Sequence, residues 1–164
     1  MGQLIAEQSE CDGKVILKLI GDIDDTFDCS HIELSGCQSL QIDLDGILMI
    51  NSLGIQRWIR WFATIPEKVS IDFVNCPARV ITHMNLISEF VRDKKLVISS
   101  FYAPYFCEDC EQSKSFHIIV KEHFQKSEPI EVPKLSCPKC RVGMDFDGLP
   151  YYFEFLNRQL GLEK

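Results

Sequence analysis

The chain lacks any run near the roughly 18 consecutive apolar residues that a membrane-crossing helix needs, so no transmembrane anchor is expected. The opening MGQLIAEQSE lacks the basic-then-apolar order of a secretory signal, and Ala6 stands where a myristoylation signal after Gly2 wants Ser or Thr. A cytosolic protein is therefore expected. Basic clusters are missing too. The net charge is −7, from 17 Lys and Arg against 24 Asp and Glu. Residues 1–100 hold 9 basic and 14 acidic groups, and residues 101–164 hold 8 and 10, which argues against tracking a phosphate backbone. There is no glycine-rich phosphate loop and no dinucleotide fingerprint. Asp22, Asp24, Asp25 and Asp28 form an acidic cluster without the glycine and terminal Glu of an EF-hand, so they read as a solvated loop. Asp43 and Asp45 straddle Leu44 as a strand end does, and His31 and His83 have no partner visible in sequence. Catalysis is not expected.

What is present is enough for one ordinary domain with a small appendage: 164 residues, 46% of them hydrophobic. Alternation predicts strands over 4–7 (weakly) and 14–20, with Val15, Leu17 and Leu19 on one side and Gly21-Asp22 ending the second. Residues 22–38 read as an irregular acidic loop. A strand follows over 40–44, its apolar character continuing through 47–50. A helix over 52–65 carries the stripe Ile55, Trp58, Ile59, Phe62 and Ile65, and Pro66 ends it. A strand over 68–74, a helix over 77–90 and a strand over 95–101 complete the unit. Pro77 suits the helix start, and Val80, Ile81, Met84 and Ile87 line its buried side, with Val91 as a further candidate. Strand–helix–strand–helix–strand order implies right-handed crossovers and a partly parallel sheet.

Composition changes near Pro104, which sets an expected boundary between residues 1–103 and 104–164. The second part holds two cysteine pairs, a strand over 116–120, a connector over 127–134 and an amphipathic helix over 149–160. Leu149, Tyr152, Phe153, Leu156 and Leu160 share one face of that helix, with Gly161 as its stop.

Four of the eight cysteines make two C-x-x-C pairs, Cys107/Cys110 and Cys137/Cys140, separated by 26 residues. Each pair lets one tight turn aim two thiolates at a point, and two turns complete the tetrahedral four-sulfur shell that Zn2+ favours. A redox pair and an iron centre use the same residues and stay open as alternatives. His117 and His123 lie between the pairs and read as strand or surface residues, since four thiolates close a shell. Cys11, Cys29, Cys37 and Cys76 read as free thiols, mostly buried. Residues 105–145 resemble a zinc ribbon, with Cys-Pro-Lys-Cys as a knuckle of that class. A closed shell leaves no position for substrate, so such a metal is structural.

The stretch 43–55, DLDGILMINSLGI, follows Leu19-Ile20-Gly21-Asp22-Ile23-Asp24 and precedes Val69-Ser70-Ile71-Asp72-Phe73-Val74-Asn75. Together these resemble the STAS domain of bacterial anti-sigma factor antagonists over about residues 2–100. The resemblance implies an α/β fold, a STAS-like mixed sheet with helices on one side. It also implies a regulatory adaptor that acts by protein contact with a kinase-like anti-sigma factor or scaffold. Ser52 matches the serine that partner kinases phosphorylate in that family. Asn51 stands where the family has Asp, Leu53 where it has a small hydroxyl residue, and 24–38 lacks the family's helix. Apart from a switch, Ser52 also reads simply as a helix N-cap.

The expected partner-binding residues are Asn51, Ser52, Leu53, Gly54, Arg57, Arg60 and Trp61. Trp61 lies off the apolar stripe beside the two arginines, a combination typical of interface anchors. Its other reading is cover within the chain by the ribbon or the C-terminal helix. The contrasting function is a zinc-ribbon module for nucleic acid or a transcription complex.

Overall fold

A computed structural model describes residues 4–91, 96–125 and 129–162. The readings made on Gly2, on Lys95 and on the start of the 127–134 connector lie outside the described residues. Strand β1 (Ile5–Cys11) turns through Asp12 and Gly13 into β2 (Lys14–Ile23). Both turn residues have positive φ (49° and 75°), the two-residue loop whose twist suits a hairpin. Strands β3 (Ser39–Ile50), β4 (Ser70–Val74) and β5 (Leu96–Ile98) run parallel to β2, giving the sheet order β1-β2-β3-β4-β5. Register places Leu17, Ile42, Phe73 and Ile98 in one row across four strands, all buried. On the other face the same strands carry Lys18, Gln41, Asp43 and Asp72, none of them buried.

The buried face receives helix α1 (Ser52–Thr64), helix α2 (Ala78–Leu86) and a 3-10 turn at Ser88–Phe90. Trp58 stacks on Phe62 and Phe90, meets Phe73 edge-on, and donates its indole N–H to the Phe90 carbonyl at 2.8 Å. Strand β2 does not stop at Gly21 as predicted. Gly21 (φ 118°) carries the chain through a register shift, and the strand continues to Ile23. In β3 a bulge between Asp43 and Gly46 changes which side chains face inward, so Leu44 and Ile47 are both buried. A Cβ at Gly46 would lie 2.7 Å from the Leu19 carbonyl oxygen.

The predicted strand over 95–101 is divided. After Ser99, β6 (Ser100–Cys107) leaves the first sheet and becomes the centre of a second, antiparallel one. Its order is β7-β6-β9-β8, from β7 (Gln112–Ile119), β8 (Leu135–Ser136) and β9 (Gly143–Phe146). The boundary expected at 103/104 thus falls inside β6. Pro104 is tolerated there because its carbonyl accepts from the Asp147 N–H at 3.0 Å. The missing N–H points to that same side, just past the two residues of β6 that pair with β9.

The two sheets are tied at this hand-over. Cys76 donates to the Ser100 carbonyl and accepts from the Tyr102 N–H. Asn75 (φ 55°) donates its side-chain amide to Asp43 at 3.1 Å and accepts from the His117 ring at 2.9 Å. A single apolar cluster runs through both sheets, from Val15 to Leu156.

The end of the chain folds back as helix α4 (Glu154–Leu160), shorter than the predicted 149–160 because 150–153 form turns. Gly161 (φ 71°) stops it as predicted, with Leu162 donating to the Asn157 carbonyl. Gln159 exchanges two hydrogen bonds, of 2.8 and 3.0 Å, with the backbone N–H and C=O of Ile98 at the outer edge of β5. Among the described residues no helix is long and apolar enough to cross a membrane.

Candidate functional site

The four cysteines meet at one end of the second sheet. Cys107 ends β6, and the turn to β7 carries Cys110; a short helix, α3 (Val120–His123), follows β7, and the chain returns through β8 to the turn holding Cys137 and Cys140. All four Sγ atoms lie within 4.8 Å of one another. The Cys107–Cys140 pair is 3.5 Å apart and the Cys110–Cys137 pair 4.0 Å. A zinc–sulfur bond of about 2.3 Å gives a tetrahedron with sulfur–sulfur edges of about 3.8 Å, which these distances bracket. They are far longer than the roughly 2.05 Å of a disulfide bond. The group can therefore hold one metal ion.

The two turns are near copies. In each the first cysteine, Cys107 or Cys137, is buried, while the second, Cys110 or Cys140, is more accessible. In each the next residue takes a left-handed conformation, Glu111 at φ 50° and Arg141 at φ 65°. That curl points backbone N–H groups at sulfur. The N–H groups of Cys140 and Lys139 pull the Cys137 thiol down to about 6. The neighbouring Cys140 thiol pushes Cys110 up to about 12. Four crowded sulfurs cannot all carry charge by themselves, and a divalent cation at their centre removes the conflict. His117 and His123 are engaged elsewhere, with Asn75 and with the Ile119 carbonyl. Of the other cysteines Cys29, Cys37 and Cys76 are buried, burial pushing the Cys29 thiol up to about 12, and Cys11 is exposed.

At the start of α1 the cap is Asn51, whose side-chain oxygen accepts from the Gly54 N–H at 2.8 Å. Ser52 is therefore the first helical residue, and its exposed hydroxyl is not the cap. A Cβ on Gly54 would lie 1.8 Å from the Ile23 carbonyl oxygen, so this turn of helix rests directly on the end of β2. Leu53, Arg57 and Arg60 are exposed. Leu48 (65%) and Met49 (37%) at the end of β3 add exposed apolar surface that the apolar run over 47–50 had masked in sequence.

The predicted exposure of Trp61 is corrected. The side chain is only 8% exposed, packed at 5.9 Å against Phe27 and 5.3 Å against Trp58. Its cover includes Phe27, from the loop over 24–38. The fold of that loop is set locally: Asp24 accepts from both the backbone N–H and the hydroxyl of Thr26, which holds its carboxyl below the usual range. The docking set therefore loses Trp61. No protein-family model matches the chain, and no curated protein matches it in sequence.

Proposed function

We propose that the four cysteines hold one structural Zn2+ and that the chain is a cytosolic, bacterial regulatory adaptor resembling the STAS-type anti-sigma factor antagonists. It binds a protein partner through Asn51, Ser52, Leu53, Arg57 and Arg60, with no catalytic step; Gly54, expected in the same set, is buried against β2 and serves only to seat that turn. The carrying observation is the start of α1: an exposed serine at the first helical position, beside an exposed leucine, on a turn fixed by a glycine with no room for a Cβ. The first turn of α1 carries no acidic side chain of its own, so the helix does not supply negative charge at the positive end of its dipole. A phosphate on Ser52 would sit against that end and add charge to the docking surface without unfolding the helix. The element order β1 to β5 with α1 and α2 on one face is consistent with the same reading.

Phosphate-affinity gels of protein taken from its host, with Ser52→Ala as control, test the switch. A slower band that the substitution abolishes is expected; one unshifted band in every growth state would count against phosphorylation. A pull-down with Leu53→Asp tests the surface, and retention of the full partner set by the variant would sink it. The contrasting nucleic-acid reading has Lys139 and Arg141, both exposed, in its favour. A salt-sensitive mobility shift with DNA or RNA would establish it in place of the adaptor reading.

A further inference from the structure

The two cysteine turns carry opposite charge. The first presents Glu108, Asp109 and Glu111, all exposed; the second presents Lys139 and Arg141, also exposed, next to Val142, which is 45% exposed. The sulfurs they surround lie within 4.8 Å of one another, so an acidic pole and a basic pole stand side by side at one tip of the molecule. Among the described residues no ion pair joins them. Both poles are left to solvent.

We infer that this tip is a self-association surface, and that its occupant is the same tip of a second copy. A two-fold axis passing between the poles, perpendicular to the line joining them, sets the acidic turn of each copy against the basic turn of the other. A patch holding both signs side by side is self-complementary under that operation, whereas two single-sign patches would repel. Val142 and the exposed Pro138 supply apolar contact near the basic pole. The contact is small and built on exposed charges, so it is a weak dimer that salt screens. The inference rests on the metal-site reading only in that the metal holds the two turns together. It is independent of the α1 docking face.

Sedimentation velocity on the zinc-loaded full chain, over a concentration series at low salt, reads the association directly. A concentration-dependent dimer that added salt disperses is expected. The charge-reversed variants K139E/R141E and E108K/D109K should each sediment as monomers, and an equimolar mixture of the two should recover a dimer. These positions supply no sulfur, so each variant should keep one zinc per chain. A wild-type chain that stays monomeric at every concentration overturns the inference. So does a dimer that survives either reversal, or a mixture that fails to associate. Wild-type protein without bound metal would instead remove the metal reading, and this inference with it.

Discussion

Gly54 sits where the first turn of α1 meets the last peptide of β2, and that contact has no slack. With a would-be Cβ only 1.8 Å from backbone oxygen, Gly54→Ala must push α1 away from the sheet. A loss of about 3 kcal/mol in urea unfolding is expected, since overpacking against backbone cannot be absorbed by a rotamer change. A variant within roughly 0.5 kcal/mol of wild type would mean that the helix start is loosely held. Asn51 works at the same spot by a different force. Its side-chain oxygen gives the otherwise unpaired Gly54 N–H an acceptor, which leaves the Ser52 hydroxyl free of capping duty. From sequence alone Asn51 and Ser52 are indistinguishable as caps, because Asn and Ser are equally good at it and they are adjacent. Only the backbone conformation of Asn51 (φ −116°, ψ 172°) decides between them.

Among the elements, α1 shows what periodicity reveals and what it hides. Trp58, Phe62 and Ile65 are buried as their spacing predicts, while Ile55 and Ile59 are only half-buried. Trp61 escapes the pattern because a loop without any period of its own reaches over the helix and covers it with Phe27. Trp61→Ala should cost about 3 kcal/mol through the lost ring contacts, with near-ultraviolet circular dichroism changing and the zinc content intact. A neutral substitution would return Trp61 to the exposed surface. Helix α2 is likewise shorter than its pattern. Neither glycine nor proline marks its end; Ile87 turns extended, and Asn85 donates instead to the carbonyls of Tyr151 and Tyr152. The Asp12-Gly13 hairpin had a readable signal, but the division of the last predicted strand into β5 and β6 had none. A strand that passes from one sheet to another keeps the same alternation throughout. The cysteine turns were the most legible element, since their spacing alone constrains four atoms to a point.

At the scale of the whole molecule, the four-cysteine cluster and the parallel sheet share one apolar interior. Strand β6 begins against Cys76 and ends at Cys107, so it connects the hand-over directly to the four-cysteine cluster. Metal binding by a four-cysteine shell is worth on the order of 10 kcal/mol, and an ion held here would express it as stability of the joined fold. Removal of the ion by a strong chelator should therefore lower the melting temperature by roughly 10 °C or more in one calorimetric transition. Two separate transitions, with the upper one unmoved, would show that the sheets melt independently.

Gln159 has a consequence of its own. Its amide imitates a neighbouring strand, offering one donor and one acceptor to the peptide of Ile98. It acts as a stopper on the β5 rim of the parallel sheet, where unoccupied peptide groups recruit foreign chains. A chain cut short before α4 would leave that rim bare, and what it lost first would be its solubility.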